Sequence, residues 1–138
     1  MKNKAFVDTN IMVYLYSGDE PIKRGLAIKT MEQFECCISI QVLNEFAAVF
    51  LRKFRIPAAK VLDAINEITE HVAILPIDEN TVRKALLITE RHGFSYYDSM
   101  IIAAALEGGC GILLSEDMQH GQLVDERLTI RSVFISSD

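Results

Sequence analysis

Cysteine, proline and positive charge are all scarce in this 138-residue chain, and each shortage excludes something. The three cysteines, Cys36, Cys37 and Cys110, are odd in number and form no C-x-x-C pair. A disulfide framework and a zinc ribbon are thereby excluded. Such thiols read as small buried apolar residues of a protein in a reducing cytoplasm. The three prolines, Pro21, Pro57 and Pro76, fall where a helix starts or a strand ends, so there is no Pro-rich linker. No apolar run approaches the roughly 18 residues of a membrane span. Residues 1–8 place a carboxylate directly after a short apolar stretch, which is not a signal-peptide pattern. Lys and Arg number 14 against 19 Asp and Glu, a net charge of -5. That balance argues against an unaided nucleic-acid binder, which carries a basic surface. It does not exclude an enzyme that keeps carboxylates to hold cations.

What is present is ordinary globular material, 50% apolar and 24% charged. At roughly 150 residues per domain, residues 1–138 form a single domain. Short apolar runs alternate with longer helical patterns. Strands are expected at Lys4–Val7, Cys36–Ile40, Val72–Leu75, Gly111–Leu114 and Leu128–Phe134. Helices are expected at Asn10–Tyr16, Pro21–Phe34, Gln41–Phe54, Ala58–Glu70, Glu79–His92 and Tyr96–Glu107. The strands are apolar on both faces, as when helices cover both sides of a parallel sheet. The pattern predicts a three-layer α/β/α domain with a mostly parallel sheet of four to five strands. Ligands of such sheets sit beyond the carboxyl ends of the strands, where strand order reverses.

Four carboxylates follow an apolar strand or face inward near a helix start, each with a structural explanation beside a functional one. Asp8 follows the first strand and serves either as a helix N-cap or as a site residue. Glu45 lies three residues from Val42 and four from Val49, on the edge of an apolar stripe, where a boundary glutamate would also sit. Asp98 shares a stripe with Ile101, Ile102 and Ala105. A carboxylate there needs compensation, either a cation or a capping box with Ser95. Asp117, with Glu116 beside it, follows the strand at Gly111–Leu114 and reads as a polar loop or as a site. Carboxylates gathered in one cleft repel one another unless hard, oxygen-seeking ions such as Mg²⁺ or Mn²⁺ lie between them.

At these residues the sequence resembles the PIN-domain ribonucleases, in particular the toxin half of VapBC-type toxin–antitoxin pairs. The matching pieces are Val7-Asp8-Thr9-Asn10, Asn44-Glu45-Phe46, Tyr97-Asp98-Ser99 and Leu114-Ser115-Glu116-Asp117, in order along essentially the whole chain. The resemblance implies a PIN-like fold and a cluster of Asp8, Glu45, Asp98 and Asp117 that binds Mg²⁺ or Mn²⁺ and hydrolyses RNA. Thr9, Asn10 and Ser115 would support the cluster. Glu116 stands where the family commonly has a neutral polar residue, so either Glu116 or Asp117 is the nearer to the metal. The resemblance also implies a cognate antitoxin, whose basic side chain can enter the acidic site, and a homodimer.

Two other readings compete. An aspartyl-phosphate phosphatase would use Asp8 as nucleophile, but it commonly wants a second acid where Asn10 stands. A non-catalytic α/β module binding RNA or protein would use the acids as caps and surface residues. For RNA, the densest basic run is Arg52, Lys53 and Arg55 with Lys60, and Lys23-Arg24 is a second; either is also a solvated face. His71 and His92 are expected near helix ends and His120 in a loop. Val49, Phe50, Phe54, Ile65 and Ile68 form either core or a groove between two helices.

Overall fold

The computed structural model describes residues 2–134. Six strands and six helices alternate among them: β1 Lys4–Val7, α1 Thr9–Ser17, α2 Pro21–Met31, β2 Glu35–Ser39, α3 Ile40–Arg52, α4 Ala58–His71, β3 Ala73–Leu75, α5 Glu79–His92, α6 Tyr96–Glu107, β4 Ile112–Leu114, β5 Leu123–Val124 and β6 Leu128–Arg131. The sheet order is β3-β2-β1-β4-β6-β5, parallel except where β5 runs against β6. Helices α1 to α4 pack with one another as one group and α5 with α6 as another, giving the three-layer α/β/α arrangement.

Strand burial follows from that layering. Ala5, Phe6 and Val7 of β1 and Leu113 and Leu114 of β4 are wholly buried, because these central strands are covered on both faces. Helix α6 is buried on every side from Ser99 to Leu106, which explains its continuous apolar run. Helix α5 begins in a reciprocal Asp78–Thr81 capping box and ends at Gly93, whose φ of 77° a residue with a Cβ adopts at a cost.

The sheet has six strands where four to five were expected. The addition is β5, two residues long, with Leu123 more than half exposed. Its connection to β6 turns on Asp125 and Glu126, both left-handed at φ 51° and 60°. Hairpins of that geometry are usually marked by Gly or Asn, and this one carries neither. β6 stops at Arg131 instead of Phe134, and the helix at Pro21 ends at Met31 instead of Phe34.

The crossovers from β1 run outward through β2 to β3, whereas β4 lies on the other side of β1. Strand order therefore reverses between β1 and β4. Asp8 and Ser115 are the first residues past those two strands, and the Asp8 amide donates to the Leu114 carbonyl at 2.9 Å. The fold puts its ligand-accepting crevice at these two residues.

Candidate active site

Asp8, Glu45, Asp98 and Asp117 border one cavity of about 330 Å³, together with Thr9, Asn10, Ala48 and Val49. Each acid comes from a different part of the chain. Asp8 ends β1 and caps α1, with its Oδ1 accepting from the Thr9 amide at 2.7 Å. Its Oδ2 accepts from the Ser115 hydroxyl at 3.0 Å. Cap and cavity wall are thus one role for Asp8 and not alternatives. Ser115 is fully buried and also accepts from the Met118 amide at 3.4 Å, which fixes the start of the loop after β4.

Glu45, on α3, is held on both oxygens. Thr9 Oγ1 donates to Oε2 at 2.6 Å, and Gln41 Nε2 donates to Oε1 at 3.1 Å. The same Gln41 nitrogen reaches the Tyr97 carbonyl at 3.3 Å, tying α3 to the start of α6 beside Asp98. Gln41 escaped the sequence reading. Its signal was a position one helical turn before Glu45, which any solvent-facing glutamine shares. Asn10 Nδ2 donates to Asp117 Oδ2 at 2.9 Å.

Asp98 meets half of the expected capping box. The Ser95 hydroxyl accepts from the Asp98 amide at 3.2 Å, but no return bond from the Asp98 carboxylate to the Ser95 amide is made among the described residues. The carboxylate is left facing the cavity.

Electrostatics follow from this crowding. Burial pushes the Asp8 carboxyl up to about 6 against the opposing pull of the Thr9 amide and Ser115 hydroxyl, and the charges of Asp98 and Glu45 add to the rise. Asp98 is raised as well, first by burial and then by Asp117 and Glu45, with Ser95 opposing. Among the described residues none of the four acids has a Lys or Arg ion pair. Neutral hydroxyl and amide donors orient the carboxylates of Asp8, Glu45 and Asp117 and leave their charge unbalanced.

Glu116 behaves differently. It turns from the cavity to Lys23 Nζ at 2.6 Å and to the Tyr14 hydroxyl at 2.6 Å. Burial alone would raise its carboxyl, but these two partners outweigh it and hold it below the ordinary range. Asp117, and not Glu116, lines the cavity. The pairing also occupies Lys23, and Arg24 donates to the Leu15 carbonyl at 3.0 Å, so this basic pair braces the helices. Arg52, Lys53 and Arg55 are exposed at the end of α3, with Lys53 Nζ 5.4 Å from the centre of the Phe54 ring. The histidines do not reach the cavity. His71 meets the Glu67 carbonyl, His92 meets Asp125, and His120 Nδ1 accepts from the Ser132 amide.

The donor set suits a hard cation. All four acids offer oxygen, and no thiolate or imidazole lines the cavity, which favours Mg²⁺ or Mn²⁺ over zinc. Among the described residues no three His, Cys, Asp or Glu side chains are placed closely enough to hold a metal ion as they stand. The desolvated, unpaired Asp8 and Asp98 are the groups that gain most from a cation.

The remaining groove residues divide. The rings of Phe46 and Phe50 on α3 and of Phe54 just beyond it contact one another in succession, and with Val61 they line a cleft of about 230 Å³ between α1, α3 and α4. Ile68 is core, and its far side meets a larger apolar cleft of about 440 Å³ with Met12, Leu15 and Ile28.

A mostly parallel α/β domain has its ligand crevice at the switch point, and here four carboxylates border that crevice. The PIN domain family model matches residues 5–124, and the chain belongs to that family. Sequence comparison with curated proteins returns no significant match. Among solved structures, the chain is similar to VapC20 of Mycobacterium tuberculosis, a sarcin–ricin loop cleaving toxin, at 23% identity and TM-score 0.64 over 79% of this chain and 86% of that one. It is similar to VapBC2 of Rickettsia felis bound to a promoter DNA fragment, at 13% identity and TM-score 0.68 over 94% and 98%. A toxin–antitoxin complex from Klebsiella pneumoniae is similar at 20% identity and TM-score 0.65 over 82% and 86%. At these identities the likenesses establish the fold.

Proposed function

We infer that this chain is a divalent-metal-dependent endoribonuclease and the toxin of a toxin–antitoxin pair. The observation that carries the reading is the set of four carboxylates on one cavity, three of them oriented by neutral donors and none paired with a cationic side chain among the described residues. Asp8 and Asp98 are the principal metal ligands, and Glu45 and Asp117 hold a second ion or orient water. When bound, Mg²⁺ or Mn²⁺ supplies Lewis acidity at the attacking water and the scissile phosphate. Ser115 and the Thr9 amide fix the Asp8 carboxylate, Thr9 and Gln41 fix that of Glu45, and Asn10 fixes that of Asp117. Ala48 and Val49 give the cavity an apolar wall that limits water beside the phosphate. Arg52, Lys53 and Arg55 guide the RNA backbone toward the cavity.

A cognate antitoxin protein is the expected partner, silencing the site by supplying the cation the cavity lacks. That the similar solved structures include toxin–antitoxin complexes supports this part of the reading. The toxin acts in the cytoplasm as a homodimer. Among the described residues no helix is long and apolar enough to cross a membrane.

The test is cleavage of labelled total RNA by purified protein in Mg²⁺ or Mn²⁺, beside a chelator control and Asp98→Asn. Chelator-sensitive cutting that vanishes in the variant is expected. Cutting that survives both treatments overturns the carboxylate–metal chemistry. Absence of both cutting and calorimetric Mn²⁺ binding leaves the non-catalytic module as the better reading.

A further inference from the structure

Beside the acidic cavity lies a second, smaller one of about 210 Å³, and the two share Asn10 and Val49 as a common wall. Its other side is unlike the first. Tyr14, Ser17, Asp19, Glu20, Lys53 and Phe54 line it, so it combines aromatic edges, two carboxylates and one cation. Asp19 accepts from the Ser17 hydroxyl at 2.6 Å, which holds that carboxylate in place at the turn between α1 and α2. No carboxylate lies within ion-pair distance of Lys53 among the described residues.

We propose that this cavity is the subsite for the nucleobase next to the cleaved bond, and that it selects a base presenting an exocyclic amine over uracil. The assignment rests on the ribonuclease reading of the neighbouring cavity. A strand whose phosphate sits among the four acids can pass one flanking nucleotide over the shared Asn10–Val49 wall. Lys53 meets the next phosphate along the strand, beyond the flanking nucleotide. Asp19 and Glu20 repel phosphate from their own side, so the base and not the backbone enters there. Their acceptor oxygens match the N4 amine of cytosine, the pairing that acidic side chains make with that base. Uracil presents a carbonyl at the same place, and two acceptors face each other without a proton between them. Phe54 supplies apolar and stacking surface for the ring. Lys53 among the acids disfavours a metal ion as the occupant.

The experiment measures fluorescence anisotropy of labelled tetracytidylate and tetrauridylate with the Asp98→Asn protein in Mg²⁺, so that binding is read without cleavage. Tetracytidylate is expected to bind about tenfold more tightly, the size of a charge-assisted hydrogen bond. Adding Asp19→Asn with Glu20→Gln brings the ratio close to one. Adding Lys53→Met weakens both oligonucleotides alike and lowers the salt dependence of binding. Equal binding of the two, a preference that survives the double substitution, or no binding of either overturns the subsite. RNA cleavage by the unaltered protein with none of this selectivity removes the subsite and keeps the nuclease. Selective binding that depends on Asp19 and Glu20, without cleavage of any RNA, removes the nuclease, overturns the placement beside a cleaved bond and keeps only the base selectivity of the cavity.

Discussion

Glu116 and Asp117 are neighbours in the chain and opposites in surroundings. Glu116 is clamped by the Lys23 ammonium and the Tyr14 hydroxyl, and Lys23 in turn lies over the Tyr14 and Phe134 rings. Asp117 is held by one neutral amide, from Asn10. The clamp spends its carboxylate's charge on a cation the protein itself provides. The cavity keeps that charge available. Orientation by hydroxyl and amide groups fixes a carboxylate without neutralising it, and three of the four cavity acids are held that way. A site meant for an external cation needs the second arrangement, and the loop that carries it is anchored by the first.

The contrast is broken most strongly in the cavity. Asp98→Asn and Asp117→Asn should each lower RNA cleavage by about a hundredfold or more, the scale of losing a group that stabilises the transition state. Glu116→Gln should leave cleavage within a few-fold, measured on the same labelled RNA. Equal losses at positions 116 and 117 would erase the distinction between clamp and cavity.

The next effect is pH-dependent. Folding raises the Asp8 carboxyl from 3.8 to about 6, so the folded state holds that proton more tightly than the unfolded chain does. Stability from this group is complete below about pH 4 and is lost as pH rises toward about 6. In chelator, Asp8→Asn should therefore gain stability relative to the unaltered protein between pH 4 and pH 7, by at most about 3 kcal/mol. Calorimetric melting of both proteins across that range checks it, and a constant difference would contradict the burial of an uncompensated charge. Saturating Mn²⁺ at pH 7 should restore about 3 kcal/mol at a hundredfold excess over its dissociation constant.

A smaller change sharpens the role of neutral donors. Ser115→Ala leaves Asp8 with one partner and should weaken Mn²⁺ binding about tenfold by calorimetry, the low end for loss of a ligand-orienting group. Smallest of all, Lys23→Met should lower the denaturant midpoint only slightly, because the Lys23–Glu116 pair is partly exposed. That shift should shrink in high salt.

Legibility followed locality. Helices α5 and α6 were placed to the residue, because Gly93 and Gly108-Gly109 punctuate a clear 3.6-residue pattern. β5 was not, since two residues carry no periodicity and its turn lacks glycine. Asp8 was readable as the polar end of an apolar strand. Gln41 was not, because its importance comes from Tyr97 across a helix boundary and not from its own neighbours.

Apolar spacing pointed to an α/β/α domain, and strand ends and helix stripes, together with the resemblance to PIN-domain ribonucleases, pointed to the four acids worth testing. Which of two adjacent acids faces the cavity, whether the Asp98 box closes, and that Lys23 braces helices instead of awaiting RNA were decided only in three dimensions. The reason is physical. Periodicity reports which side of an element is buried. Charge compensation depends on the distance to a partner, and the partners here lie far off in sequence, as Tyr14 and Lys23 do from Glu116 and Asn10 does from Asp117.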